Sequence, residues 1–223
     1  MTATAPNPRP GGFAHDRDLT HGKEEWLTPR EIIKALEFTR VDEALRAETE
    51  LVPWPFDLDP CAPVDELRPW PTAKRHYSIY DNGLLKAWQG RVWCNPPYGA
   101  KTGQWLARCS EHKNVTAFIF ARTETRQFFD HVWGKATAVC FLKGRVAFWE
   151  LACKVCGLGL SNEVHKLRDF HAAVPTKKAI RGGASGAPSM IVTWDQANAC
   201  SLWDAVQSGR IKGFFIETSG GTP

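Results

Sequence analysis

Apolar residues along this chain follow two periods, and the switches between them mark out the elements. Residues 115–121, Val-Thr-Ala-Phe-Ile-Phe-Ala, form an almost unbroken apolar run, the pattern of a strand buried on both faces. Shorter runs at 91–94, 137–142, 146–149, 189–194 and 212–217 predict further strands. Helical spacing lies between them. Trp105, Leu106 and Cys109 share one face of 102–112, Phe128, Phe129, Val132 and Trp133 fall in a second helix, and 195–208 makes a third. Near the N-terminus, Thr28, Pro29 and Glu31 read as a hydroxyl cap, a proline at the first helical position and an acid in the first turn. Ile32, Ile33 and Leu36 then form the buried stripe of that helix. Short strands are also predicted at 55–59 and 74–80, a short helix at 84–88, and a charged helix or linker over 40–54. Strands alternate with helices early and pair with one another late. The expected class is α/β, a doubly wound sheet closed by a C-terminal β-hairpin.

Two stretches break the pattern. Residues 1–22, rich in Pro, Gly, Thr and Asn, read as a flexible leader, which leaves 23–223 as one domain. Residues 150–188 carry Gly157, Gly159, Gly182, Gly183 and Gly186 among His, Lys and Arg, and read as a long, mobile, basic insertion.

Composition narrows the class. A hydrophobic fraction of 43% and a charged fraction of 23% are those of a soluble globular protein. No run approaches the ~18 apolar residues of a membrane helix, and no secretory h-region follows the N-terminus, so a cytoplasmic protein is expected. The seven cysteines form no framework, which agrees with a reducing compartment. A net charge of +4 permits an anionic partner without demanding one. Cys153-x-x-Cys156 with His165 and His171 lacks a long spacer to a second tight pair, so free thiols are expected there and no metal.

The candidate chemistry centres on Arg91-Val92-Trp93-Cys94-Asn95-Pro96-Pro97-Tyr98-Gly99. A short buried strand stops abruptly at two prolines, which fix two φ angles, remove two N–H donors and push Asn95 into an extended conformation. The product is a stiff turn at a strand's carboxyl end, where open α/β sheets bind ligands. An exocyclic NH2 on a nucleobase is planar and a poor nucleophile. Two acceptors, the Asn95 side-chain oxygen and the Pro96 carbonyl, can take both of its hydrogens and draw the nitrogen toward tetrahedral geometry. Tyr98 supplies a ring to stack on the base. Upstream, Asp57-Leu58-Asp59-Pro60-Cys61 is a second strand end, and it carries a carboxylate suited to a ribose or an amino group. Asp81 opens an Asp-Asn-Gly turn after a third.

Together these segments resemble the bacteriophage and prophage DNA N6-adenine methyltransferases, the Dam family. The order is the same over about residues 24–195. Trp26-x-Thr28-Pro29 comes first, then Asp57-Leu58-Asp59-Pro60-Cys61-Ala62, Gly83-Leu84 with Trp88, and Asn95-Pro96-Pro97-Tyr98. A Leu142-x-Gly144-Arg145-x-x-Phe148 hairpin and an Ile191-Val192-Thr193-Trp194 strand follow. The resemblance implies a Rossmann-like sheet using S-adenosylmethionine to methylate adenine N6 in double-stranded DNA, by base flipping and direct in-line transfer. It implies catalytic roles for Asn95, Pro96, Pro97 and Tyr98, and cofactor roles for Trp26, Thr28, Pro29, Asp57, Asp59, Pro60 and Cys61; Asp81 is the remaining candidate for ribose or adenine. Basic residues after the sheet (Arg122, Arg126, Lys143, Arg145) are the candidates for phosphate contact. The turn alone does not separate adenine N6 from cytosine N4, nor an active enzyme from an inactive DNA-binding module with the same fold. Only about 35 residues separate Pro60 from Asn95, too few for the usual full set of strands and helices.

Overall fold

The computed structural model describes residues 27–40, 51–64, 68–155 and 175–218. Its organising element is a mixed, mostly parallel sheet. In the parallel part lie β3 (Leu58–Asp59), β4 (Arg75–His76), β5 (Val92–Cys94) and β6 (Val115–Phe120). In the other part, β10 (Ser189–Thr193) runs antiparallel between β6 and β7 (Ala138–Leu142), and β11 (Gly213–Glu217) runs antiparallel along the far side of β7. The order across the sheet is β11-β7-β10-β6-β5-β3-β4. Five of the seven strands point the same way, so the ends of β3, β4, β5, β6 and β7 share one edge.

Side-chain alternation decides which helix covers which face. Val92 and Cys94 of β5, Val115, Ala117 and Ile119 of β6, and Met190 and Val192 of β10 point to one side. They pack there on Trp105, Leu106 and Cys109 of α2 (Thr102–His112) and Phe128 of α3 (Arg126–His131). Trp93, Phe118, Cys140 and Ile191 point to the other side, against Ile33 and Leu36 of α1 (Arg30–Leu36) and Leu202 and Ala205 of α4 (Gln196–Gln207). The run over β6 is buried along nearly its whole length, as its sequence predicts.

The edge where the parallel strands begin is locked by one cation. Arg91, only 1% exposed, stands just before β5 and spreads its guanidinium over four acceptors. Nε donates to Asn198 Oδ1 at 2.7 Å, Nη2 to the Leu36 carbonyl at 2.9 Å and to Ser201 Oγ at 3.4 Å, and Nη1 to the Trp54 carbonyl. The charge also sits 3.7 Å from the Trp54 ring centroid and 4.1 Å from that of Phe56. Burial lowers its pKa to about 9.

Several expectations change. The helix over 84–88 is absent; those residues form turns. The strand at 74–80 shortens to Arg75–His76. Where a charged helix or linker was expected over 40–54, β1 (Phe38–Arg40) and β2 (Leu51–Pro53) form an antiparallel pair. Thr28 does not cap α1. Pro29 is itself the N-cap residue, in an extended conformation (φ −51°, ψ 131°), and no side chain bonds the first turn. The closing hairpin is also rearranged. β7 pairs with β10 and β11, while the strand after Lys143-Gly144-Arg145 leaves the sheet. That strand, β8 (Ala147–Cys153), pairs with β9 (Pro175–Ala184) as a separate two-stranded ribbon. Most of the described part of the predicted insertion is therefore regular β-structure. Its glycines and basic residues mimic a loop in composition, but alternate residues of β8 (Phe148, Glu150) and the following Leu151 to Cys153 are buried. Cys156, His165 and His171 lie outside the described residues, as do Trp26 and the 1–22 leader; Cys153 is buried in β8.

Candidate active site

The chain passes from β3 to β4 on one side, then crosses back to β5 on the other, so the strand order reverses between β3 and β5. In open α/β sheets the crevice beyond the carboxyl ends at such a reversal is the ligand site. Here it is flanked by Asp59-Pro60-Cys61 after β3 and by Asn95-Pro96-Pro97-Tyr98 after β5.

The second loop is braced at both ends. Pro96 is buried while Pro97 is exposed, so the turn projects from the sheet with its first proline anchored. Thr102 Oγ1, on the first residue of α2, accepts from the Gly99 N–H at 3.0 Å and donates to the Pro97 carbonyl at 3.4 Å. Gly99 makes this closure at φ +134°, a conformation open to glycine and costly for other residues. Within the turn, the Tyr98 hydroxyl donates to Asn95 Oδ1 over a long 3.5 Å. The Tyr98 ring lies on Phe120, the last residue of β6, with centroids 3.7 Å apart and planes 8° from parallel. Burial holds the Tyr98 phenol well above its usual pKa.

The first loop holds an acid. Asp59 is 4% exposed, and burial raises its pKa to about 6 against the opposing pull of hydrogen bonds from Thr72 and Cys61. Oδ2 accepts from Thr72 Oγ1, and Oδ1 accepts from the Cys61 N–H at 3.0 Å. Among the described residues no cation forms an ion pair with it. His76 positions Thr72 in turn, its Nε2 accepting the N–H groups of Thr72 (3.2 Å) and Ala73 (3.3 Å). The two loops then touch: Cys61 Sγ donates to the Asn95 carbonyl at 3.2 Å and lies 3.9 Å from Cys94 Sγ.

The Asp81 turn is docked onto this pair. The Asp81 carboxylate accepts from the Ser78 N–H at 2.8 Å, from its hydroxyl at 3.0 Å and from Lys86 Nζ at 2.7 Å, contacts that lower its pKa to about 2. Gly83 packs so closely on Pro60 that an added Cβ would stand 1.9 Å from the Pro60 carbonyl oxygen. The Gly83 carbonyl accepts from Trp88 Nε1 at 2.8 Å. The Gly83, Leu84 and Trp88 positions are thus a mount for the Pro60 loop. A cleft of about 480 Å3 runs along β4, with Arg68, His76, Ser78 and Asp81 in its wall; neither Asn95 nor Tyr98 lines it.

The other sequence candidates divide. Asp57 precedes β3 and lies at the opposite edge, where it accepts from Lys74 Nζ at 2.8 Å and from the Arg91 N–H at 2.9 Å. Thr28 is 3% exposed and its hydroxyl has no hydrogen-bond partner among the described residues. Its neighbour Leu27 exchanges two backbone hydrogen bonds with Trp149 of β8, whose ring meets Trp70 edge-on at 5.9 Å, two residues before Thr72. Arg122 and Arg126 follow the end of β6, and Lys143 and Arg145 follow β7, so all four come after strand ends on the Asn95 edge. Arg126 also reaches Asp130 at 3.4 Å. Sequence reasoning missed Thr72, His76, Thr102 and Phe120. Only Thr102 carries a local signal, a hydroxyl close behind the Pro-Pro turn.

Among the described residues no helix is long and apolar enough to cross a membrane. The family model described as DNA N-6-adenine-methyltransferase (Dam) matches residues 17–199, most of the chain. No curated protein and no solved structure matches it.

Proposed function

Because the chain belongs to the DNA N-6-adenine-methyltransferase (Dam) family, we propose that it methylates N6 of adenine in double-stranded DNA with S-adenosylmethionine as donor. The observation that carries this reading is the meeting of the Asp59 and Asn95 loops through Cys61, at the point where the strand order reverses. S-adenosylmethionine, when bound, supplies an activated methyl group. The residues present fit it in two respects. Among the described residues Asp59 is a buried carboxylate in no ion pair, with Arg68 acting on it only as a nearby charge, and it suits a positively charged ligand. The Thr28 hydroxyl, without a partner among the described residues, offers a hydrogen bond. Asp59, Pro60, Thr28 and Pro29 are the residues we assign to holding it, with the cleft beside Asp81 available to its nucleoside end. Asp57 serves the opposite edge of the sheet.

On the substrate side, the adenine leaves the stack at a cost of a few kcal/mol. Asn95 Oδ1 and the Pro96 carbonyl accept the two hydrogens of its amino group, and the long Tyr98 contact to Oδ1 gives way. Tyr98, backed by Phe120, offers its free face to the base. Charge in this transfer is dispersed, so positioning by the stiff turn contributes more than acid–base catalysis. Arg122, Arg126, Lys143 and Arg145 contact phosphates along the same edge.

The test is incubation with methyl-labelled S-adenosylmethionine and unmethylated duplex DNA, followed by nucleoside analysis. Label is expected in N6-methyladenine and lost in Asn95→Ala, with cofactor binding retained. Label in N4-methylcytosine, or none, overturns the assignment.

A further inference from the structure

We infer that Cys61 is a positioning residue for the catalytic turn: its thiol, bonded to the Asn95 carbonyl, fixes the peptide plane from which Asn95 and Pro96 present their acceptors. The inference rests on the reading of residues 95–98 as the methyl-transfer turn. β5 ends at Cys94, so the Asn95–Pro96 peptide lies beyond the last residue held in the sheet, and its proline nitrogen carries no hydrogen. Cys61 reaches that peptide from the neighbouring strand's loop, with Sγ 3.2 Å from the Asn95 oxygen.

The thiol has the chemistry for the task. Burial pushes it well above its usual pKa, so it carries a hydrogen throughout the neutral range. Its sulfur also lies 3.9 Å from Cys94 Sγ, at the margin of the core against which Cys61 packs. The other end of the residue is also tied, through its N–H to Asp59 Oδ1 at 3.0 Å. One residue therefore connects the acid of the first loop to the carbonyl of the second. A ligand that draws on Asp59 acts on the Asn95 peptide through two bonds and one side chain. Cys61 itself need touch neither the cofactor nor the base.

The experiment compares wild type, Cys61→Ala and Cys61→Ser in steady-state methylation, with cofactor affinity and melting temperature measured on the same samples. Cys61→Ala is expected to lower kcat about three- to tenfold, the range for one ordinary hydrogen bond, and to leave cofactor affinity within about twofold. Cys61→Ser keeps a donor on a shorter bond and should recover part of the loss. An unchanged kcat in Cys61→Ala overturns the inference, and so does a loss of cofactor affinity in step with kcat. A readout independent of turnover is the S–H infrared stretch, taken as the band removed by Cys61→Ala. A band shifted to the low frequency of a bonded thiol is expected; one at the free-thiol position overturns the proposal. If wild type itself fails to label adenine, the parent reading falls and this one with it, a failure seen in wild type and not in the variants.

Discussion

Tyr98 lies flat against Phe120, ring centroids 3.7 Å apart, and so one face of the tyrosine is spent inside the protein. The stack joins the turn after β5 to the last residue of β6, and on the proposed function it sets the plane of a base laid on the other face. Phe120→Ala removes a stacking interaction of about 0.5–1.5 kcal/mol beyond its buried area. The expected outcome is a larger fall in kcat than rise in KM for DNA, with Phe120→Tyr close to wild type. Steady-state kinetics on a duplex substrate checks this, and equal effects on both constants would remove Phe120 from its bracing role.

Asp59 should make stability depend on pH in the unusual direction. Its pKa is raised from the ordinary carboxylate value to about 6 in the folded protein, so the native state holds the proton more tightly than the unfolded chain. The contribution is present in full below the unfolded value, near 3.8, and is lost as pH rises through about 6. Its size is on the order of 3 kcal/mol. Asp59→Asn keeps an acceptor for the Cys61 N–H, turns an amide N–H toward the Thr72 hydroxyl, and removes the titration. Urea unfolding of both proteins between about pH 4 and 7 should show the gap shifting in favour of the variant as pH rises; parallel curves would contradict the assignment.

Gly83→Ala places a methyl group against Pro60 main-chain atoms, at 1.9 Å from the oxygen and 2.9 Å from the carbon. Backbone cannot yield as a side-chain tip does, so the Asp59-Pro60-Cys61 loop must shift. A destabilisation of about 1–3 kcal/mol is expected, with weakened cofactor binding. Calorimetric titration with S-adenosylmethionine, on protein verified as folded, separates the two effects. Unchanged affinity would mean the mount does not shape the cofactor loop.

Arg91→Met removes the guanidinium from the Asn198, Leu36 and Trp54 oxygens; Asn198 and Leu36 keep a hydroxyl donor, in Thr116 and Ser201, while the Trp54 carbonyl loses the guanidinium bond. A loss of about 3–5 kcal/mol is expected in urea unfolding. Arg91→Lys should rescue little, because a single ammonium cannot span acceptors arranged for a planar fork. A loss below about 1 kcal/mol in either variant would mean water replaces the network without difficulty.

DNA affinity should fall steeply with salt. Replacing Arg122, Lys143 and Arg145 together by Ala should reduce the slope of log affinity against log salt by about three, near one for each phosphate no longer neutralised. Binding isotherms over a salt series measure it, and an unaltered slope would place the phosphates elsewhere.

How far the sequence could be read follows from the range of the forces involved. β5, β6 and α2 were legible because burial imposes a period that a few neighbouring residues record. Asp59 was legible as an acid before a proline at a strand end. Thr72 and Phe120 were not, since their partners lie 13 and 22 positions away and only the folded sheet brings them together. Arg91 reads locally as the first residue of a strand; its acceptors come from α4, the end of α1 and Trp54. The ribbon of β8 and β9 hides behind a glycine-rich, basic composition. The Thr28 cap fails for a local reason, because Pro29 takes the extended conformation the cap residue should have and the helix begins one position late.

β7 and β10 are antiparallel neighbours, so the chain leaves the sheet after Leu142 and rejoins it at Ser189 on the same rim as Asn95. The described residues between, the ribbon of β8 and β9 among them, leave the sheet and rejoin it at this one rim. Phe148 ties the ribbon down, its ring edge-on to Phe118 at 5.4 Å, so the ribbon leans on the sheet's core while standing outside every rung of its ladders.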